Sequence, residues 1–154
     1  MALSLTSPAF DQGATIPKEY SCEGRDRSPP LTWSGAPEGT RSFALVCDDP
    51  DAPGGTFHHW AVWDIPAAWS QLDEGHGPES LSDGLKQAEN DFGKPGYGGP
   101  CPPEGHGTHH YHFRLMALSE ESLPVAPGAS CVEVQEAARP YVLETRELIG
   151  VYER

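Results

Sequence analysis

The chain has 154 residues and sets 10 Lys and Arg against 23 Asp and Glu, a formal net charge of −13. That acidity argues against nucleic acid as a partner, because binding a phosphate backbone needs a basic footprint, and it weighs against a broad anionic membrane surface. Gly (17) and Pro (16) together make about a fifth of the chain, too many for a long helical bundle and suited to short strands joined by structured loops.

A length near 150 fits one domain spanning residues 1–154. No run approaches the roughly 20 apolar residues of a membrane span. Met1–Phe10 has neither a basic nor an apolar signal region, so no signal peptide is expected. Cys22, Cys47, Cys101 and Cys131 are widely spaced and form no CxxC pair, which reads as reduced thiols in a cytoplasmic protein, with a disulfide as the open alternative.

Along the chain, Leu3-Ser4-Leu5 is followed by turn signals at Ser7-Pro8, Asp11-Gln12-Gly13 and Ile16-Pro17. Ser28–Trp33 reads as an extended segment entering a turn at Ser34–Pro37. The run Phe43-Ala44-Leu45-Val46-Cys47 makes Ser42–Asp49 the clearest buried strand, with Phe57–Ile65 the second and Tyr111–Leu118 the third. Residues 70–108 are poor in apolar side chains, and Pro95–Pro103 is too rich in Gly and Pro for a regular helix or a central strand. Tyr97 and Cys101 within it favour an ordered loop. Ser130 and Glu133 form a capping box that opens a helix over Val132–Arg139, which Pro140 interrupts or kinks. Glu147–Tyr152 returns to apolar alternation and closes a sheet edge. The expected fold is mainly antiparallel β, with one or two helices attached.

Six of the seven histidines fall in two clusters, His58-His59 and His106, His109, His110, His112. Successive strand residues alternate faces. Asp49 therefore shares a face with Phe43, Leu45 and Cys47, and His59 with Phe57, Ala61, Trp63 and Ile65. His109 and Tyr111 share a face with Phe113 and Leu115, while His110, His112 and Arg114 point the other way. Phase thus gathers Asp49, His59, His109 and Tyr111 at the strand ends and leaves the other histidines largely solvated. Imidazoles and a phenol can donate to a small oxyanion, and a carboxylate behind an imidazole fixes its tautomer. Taken singly, each His reads first as satisfying a local backbone group or as simply exposed. Asp51, in a Pro-bounded turn, reads as a loop-shaping residue.

Other chemistries find less support. The dense His106–His112 cluster is compatible with a metal site, but no established ligand spacing occurs, and no metal or other cofactor is expected. There is no G-x-S-x-G. Cys101 is the one candidate nucleophile, and it reads first as a small buried thiol.

Five motifs in order carry a family resemblance: Ser28-Pro29-Pro30-Leu31-Thr32-Trp33, Asp49-Pro50-Asp51-Ala52-Pro53, His58-His59-Trp60, Asp91–Pro100 and Gly107-Thr108-His109-His110-Tyr111. With these the sequence resembles the phosphatidylethanolamine-binding protein family, which includes Raf kinase inhibitor protein, and especially its compact bacterial and archaeal branch. The resemblance implies an antiparallel β-sandwich with short peripheral helices and an anion pocket at one end. By motif, that pocket would use Asp49, Asp51, His59, Pro103, His109 and Tyr111. It implies a non-catalytic binder of phosphoryl or carboxylate groups, such as a phospholipid head group, with kinase-pathway modulation or serine-protease inhibition as family roles. A monomer or homodimer is expected. The rival from another class is a hydrolase of small esters or phosphoesters using the same His/Asp pocket. His110 stands where the family usually has Arg, which puts in doubt whatever that Arg does at the pocket rim. Partner contacts through the extra C-terminal segment of eukaryotic members are not implied.

Overall fold

Ser42–Asp49 forms a strand, β3, and all eight of its residues are buried. A strand without polar alternation must be covered on both faces. The computed structural model, which describes residues 2–75 and 85–154, shows how this is done. β3 lies in the middle of a five-stranded antiparallel sheet, in the order β6 (Lys86–Gln87), β4 (Phe57–Pro66), β3, β7 (His109–Leu118), β8 (Val142–Tyr152). One face packs against a three-stranded sheet in the order β1 (Ser4–Thr6), β2 (Leu31–Ser34), β5 (Gln71–Leu72). Leu5, Trp33 and Leu72 from the small sheet meet Phe43, Leu45, Phe113 and Leu115 from the large one in the main core. The other face of the large sheet buries Ala44, Val46 and Trp63 under helix α1 (Cys131–Ala138) through Val134 and Ala138.

The mainly β, antiparallel sandwich with a peripheral helix is therefore the observed architecture. Helix α1 opens on the expected capping box: the Ser130 hydroxyl accepts from the Glu133 backbone, and the Glu133 carboxylate accepts from the Ser130 backbone. A capping box of this kind satisfies two of the amides left unpaired at a helix start. Pro140 falls in a single 3₁₀ turn, Arg139–Tyr141, that feeds directly into β8. That last strand begins at Val142, well before the alternation from Glu147, because Val142 and Glu144–Arg146 pair with β7, with Leu143 skipped at a bulge, although the segment is mostly exposed.

Strict alternation along β4 needs correction. Cys47 pairs with Trp60 while Asp48 pairs with His58, so His59 is an extra residue, a β-bulge. A second irregularity lies between the Phe43–Ile65 and Leu45–Val62 pairs, near Asp64, whose φ is +54°. Between the two, Trp60 and Val62 face the inter-sheet core, and Ala61 and Trp63 face the helix layer. Ala61 and Trp63 therefore do not share the face of His59. The bulge puts His59 and Trp60 on the same side of the sheet, which is how His59 reaches the core end.

The edge of β8 is sealed by the segment before Ile16, through hydrogen bonds such as Gly13 N to Ile149 O and Ile16 N to Val151 O. The close approach depends on Gly150, where a Cβ would lie 2.5 Å from Ile16 Cγ1 and 2.8 Å from Phe10 Cε2. Overpacking of this kind costs about 1–3 kcal/mol. Gly150→Ala is expected to lower stability by about that amount in urea denaturation, with no change in the far-UV signature of the sheets.

Candidate anion-binding site

The buried end of β3 carries a carboxylate, and a buried carboxylate needs partners. Asp49 is 3 % exposed; its Oδ1 accepts from the Asp51 backbone N–H at 2.8 Å and its Oδ2 pairs with His109 Nδ1 at 2.6 Å. The Asx-type turn of the Asp49–Pro53 loop is thus made by Asp49, not by Asp51. His109 is 2 % exposed, and its second nitrogen, Nε2, lies 2.6 Å from Nδ1 of His106. The result is a line of three groups, Asp49, His109 and His106, running from the end of the core to the surface.

His59 stands opposite, its ring 5.2 Å from that of Tyr111 and edge-on to it. It is clamped from two sides, because the Gly98 amide donates to the His59 carbonyl and the Gly98 carbonyl accepts from His59 Nδ1 at 2.7 Å. A carbonyl only accepts, so Nδ1 carries the proton of the neutral ring. Nε2 has no hydrogen-bond partner among the described residues. Burial pushes the His59 pKa down, against the partial compensation of the Gly98 carbonyl and the nearby carboxylates. Tyr111 Oη is buried and unpartnered. Its pKa is raised, first by burial and then by the charge of Asp49, so it stays a donor.

These groups line a cavity of about 200 Å³, closed by Ala52 and Pro53 on one side and by Pro102 and Pro103 on another. Phe57 and Phe92 form an aromatic wall against His59, with ring centroids 4.9 and 5.5 Å away. The loop that carries Gly98 is held by Asn90, whose Oδ1 accepts from the Phe92 amide and whose Nδ2 donates to the Gly96 carbonyl. Gly98 and Gly99 are required there: a Cβ on the first would lie 2.4 Å from Phe92, and on the second 2.1 Å from the Tyr20 carbonyl.

Of the six residues expected in the pocket, Asp49, His59, Pro103, His109 and Tyr111 line it together. Asp51 does not. It is half exposed, and its Oδ2 accepts from both the backbone and Nδ1 of His110. That contact holds its carboxyl below the usual range and ties the turn to β7. His110, in place of the family's usual Arg, points away from the cavity and braces this loop. His58 and His112 are less solvated than expected, paired with Asp91 and Glu147 with only 14 % and 20 % of their side chains exposed. Among the described residues no group of three His, Cys, Asp or Glu side chains is placed to hold a metal ion.

Two features were not read from the sequence. His106 is exposed as expected but also caps His109; the H-x-x-H spacing from His106 to His109 was the available signal. Cys101 is neither a free thiol nor a nucleophile, because it is joined to Cys22 in a disulfide. The Cys22 amide donates to the Pro100 carbonyl, and Tyr97 Oη donates to the Tyr20 carbonyl, so the two loops are already side by side. Spacing alone could not show a pairing made across 79 residues of sequence. Cys47 and Cys131 are buried free thiols.

The geometry of His59 is open to a direct check. At pH 7.5, ¹⁵N-resolved NMR should show His59 as the Nδ1–H tautomer with a bare Nε2; an Nε2–H tautomer would contradict the Gly98 clamp.

Three comparisons bear on this arrangement. A family model described as phosphatidylethanolamine-binding protein matches residues 6–153. The chain is 49 % identical over 152 residues to the UPF0098 protein of Aquifex aeolicus, covering 99 % of this chain and 89 % of that one. The crystal structure of Escherichia coli YbcL, described as a new member of the mammalian PEBP family, superposes with a TM-score of 0.94 at 39 % identity, covering 100 % of this chain and 99 % of that one. A carboxypeptidase Y inhibitor, solved in complex with its cognate proteinase, shares the fold alone, with a TM-score of 0.57 and 19 % identity over 99 % of this chain and 82 % of that one.

Proposed function

We propose that this chain, which belongs to the phosphatidylethanolamine-binding protein family, is a non-catalytic binding protein that seats a single oxyanion, phosphoryl or carboxylate, in the cavity between Tyr111 and His59. The observation that carries this reading is the Tyr111 hydroxyl, buried with no partner at the floor of a cavity. Leaving a buried donor unsatisfied costs about 1–3 kcal/mol, and a bound oxygen atom removes that cost. The Asp49–His109–His106 line holds the adjoining wall in register, and Phe57 and Phe92 shield one side from water.

The rival reading, ester hydrolysis, in its covalent form through a hydroxyl or thiol needs a serine, threonine or cysteine nucleophile. Among the described residues the cavity lining holds no serine, threonine or free cysteine, since its single cysteine is in the disulfide. This supports binding over covalent turnover through Cys101. The overall acidity sets long-range steering, whereas local donors in a recessed site set capture, so a net charge of −13 and an anion pocket are compatible. The expected cytoplasmic location rested on reduced thiols. The Cys22–Cys101 disulfide favours an oxidising compartment instead, and among the described residues no helix is long and apolar enough to cross a membrane.

Titration with inorganic phosphate at pH 6.5 should shift the ring signals of His59 at millimolar ligand. Tyr111→Phe should weaken binding at least about tenfold, as expected for one hydrogen bond to a charged group, while leaving thermal stability unchanged or slightly raised. Unperturbed His59 signals, or undiminished affinity in Tyr111→Phe, would overturn the assignment.

A further inference from the structure

We propose that the pocket takes its oxyanion together with one proton held at His59 Nε2, so that a phosphomonoester binds as the monoanion, or as the dianion with uptake of a proton. This deepens the reading of the cavity as an anion site and rests on it.

The inference follows from counting donors. His59 spends its only N–H on the Gly98 carbonyl; the Gly98 amide holds the His59 backbone carbonyl and so keeps that acceptor beside the ring, and turning the ring over would forfeit the Nδ1 bond. What the neutral ring presents to a ligand is a lone pair. His109 cannot make up the deficit as it stands. Its Nδ1 is turned to the Asp49 carboxylate, and its Nε2 is already engaged by His106. Tyr111 Oη is therefore the one donor with no formed hydrogen bond among the titratable side chains that line the cavity, with the Asp49 carboxylate as the nearby competing acceptor. Phe57 and Phe92 bring no hydrogen, and Cys101 is in the disulfide.

The charges around His59 act in the same direction. Asp49 lies at the cavity floor, and Asp26 and Asp91 act on the ring from the loops behind it. A fully deprotonated oxyanion would therefore set an oxygen lone pair against a nitrogen lone pair, with a carboxylate close by. One hydrogen between them turns repulsion into a hydrogen bond. It is the same hydrogen whether it is drawn as a ligand O–H donating to Nε2 or as Nε2–H donating to the ligand, and no covalent bond to a heavy atom forms or breaks. The burial that disfavours a charged ring in the free protein means that this proton arrives with the ligand.

Methyl phosphate tests this, since its second ionisation lies near pH 6 and it is a dianion above neutrality. At constant ionic strength its affinity should fall about tenfold per pH unit between pH 7 and 9, the linkage for one proton taken up. Calorimetry at pH 8 in two buffers of different ionisation enthalpy should read about one proton per ligand bound. His59→Gln places an amide N–H where Nε2 stands; its profile should be flat, and its affinity at pH 8.5 should exceed that of the unmodified protein. Binding with a flat profile and no proton uptake in the unmodified protein overturns the proposal and leaves the anion pocket intact, and that count stands whether or not the variant folds. A slope that persists in His59→Gln moves the proton to the His106–His109 pair and likewise overturns it. Absence of methyl phosphate binding at every pH overturns the pocket reading, and the proposal with it.

Discussion

A strand buried along its whole length that ends in a carboxylate organises this molecule. β3 is covered on one face by the small sheet and on the other by α1, and Asp49 is its last residue. A carboxylate there cannot be left without partners, because the desolvation cost of an unpaired buried charge amounts to several kcal/mol. Asp49 meets the requirement with both oxygens. One folds the Asp49–Pro53 turn back on itself, and the other holds His109 at the start of the neighbouring strand. The pocket's turn, its imidazole wall and the end of the core are thus three consequences of one buried charge.

The opposite wall depends on a different constraint. The bulge at His59 rotates that residue to the inner side of the sheet, and the Gly98 clamp then fixes which of its nitrogens faces the cavity. The Gly98 loop lies where it does because Gly98 and Gly99 pass closer to Phe92 and to the Tyr20 backbone than any side chain permits. The disulfide from Cys22 to Cys101 closes the same wall covalently, and a cross-link over a loop of this length removes chain entropy worth about 4–5 kcal/mol in the simplest treatment. A recessed site assembled from several distant segments is kept in place by backbone contacts rather than by surface ion pairs. The exposed Asp51–His110 contact positions a loop and adds little energy.

The central strands, the capped helix and the gathering of Asp49, His59, His109 and Tyr111 were legible from local pattern, because burial on both faces and period-two alternation leave direct marks in sequence. His59 reached the right face by a route that alternation does not describe. The same bulge that carried it inward sent Ala61 and Trp63 to the helix layer, and nothing in Phe57–Ile65 announces the extra residue. Asp51 and Asp49 could not be told apart by residue type, since which of two nearby carboxylates closes a turn depends on where β7 passes. The Cys22–Cys101 pair depends on loops meeting in space, and spacing carries no information about that, whereas the His106–His109 contact is local and left its mark in the H-x-x-H spacing.

An oxyanion seated between Tyr111 and His59 is what this architecture requires. A crystal structure of the protein soaked in methyl phosphate tests this most directly. A phosphoryl group is expected within hydrogen-bond distance of Tyr111 Oη and His59 Nε2, with the Asp49–His109 pair and the Gly98 clamp unchanged. An empty cavity at saturating methyl phosphate, or a phosphoryl group reached only after the Gly98 contact with His59 has broken, would contradict it.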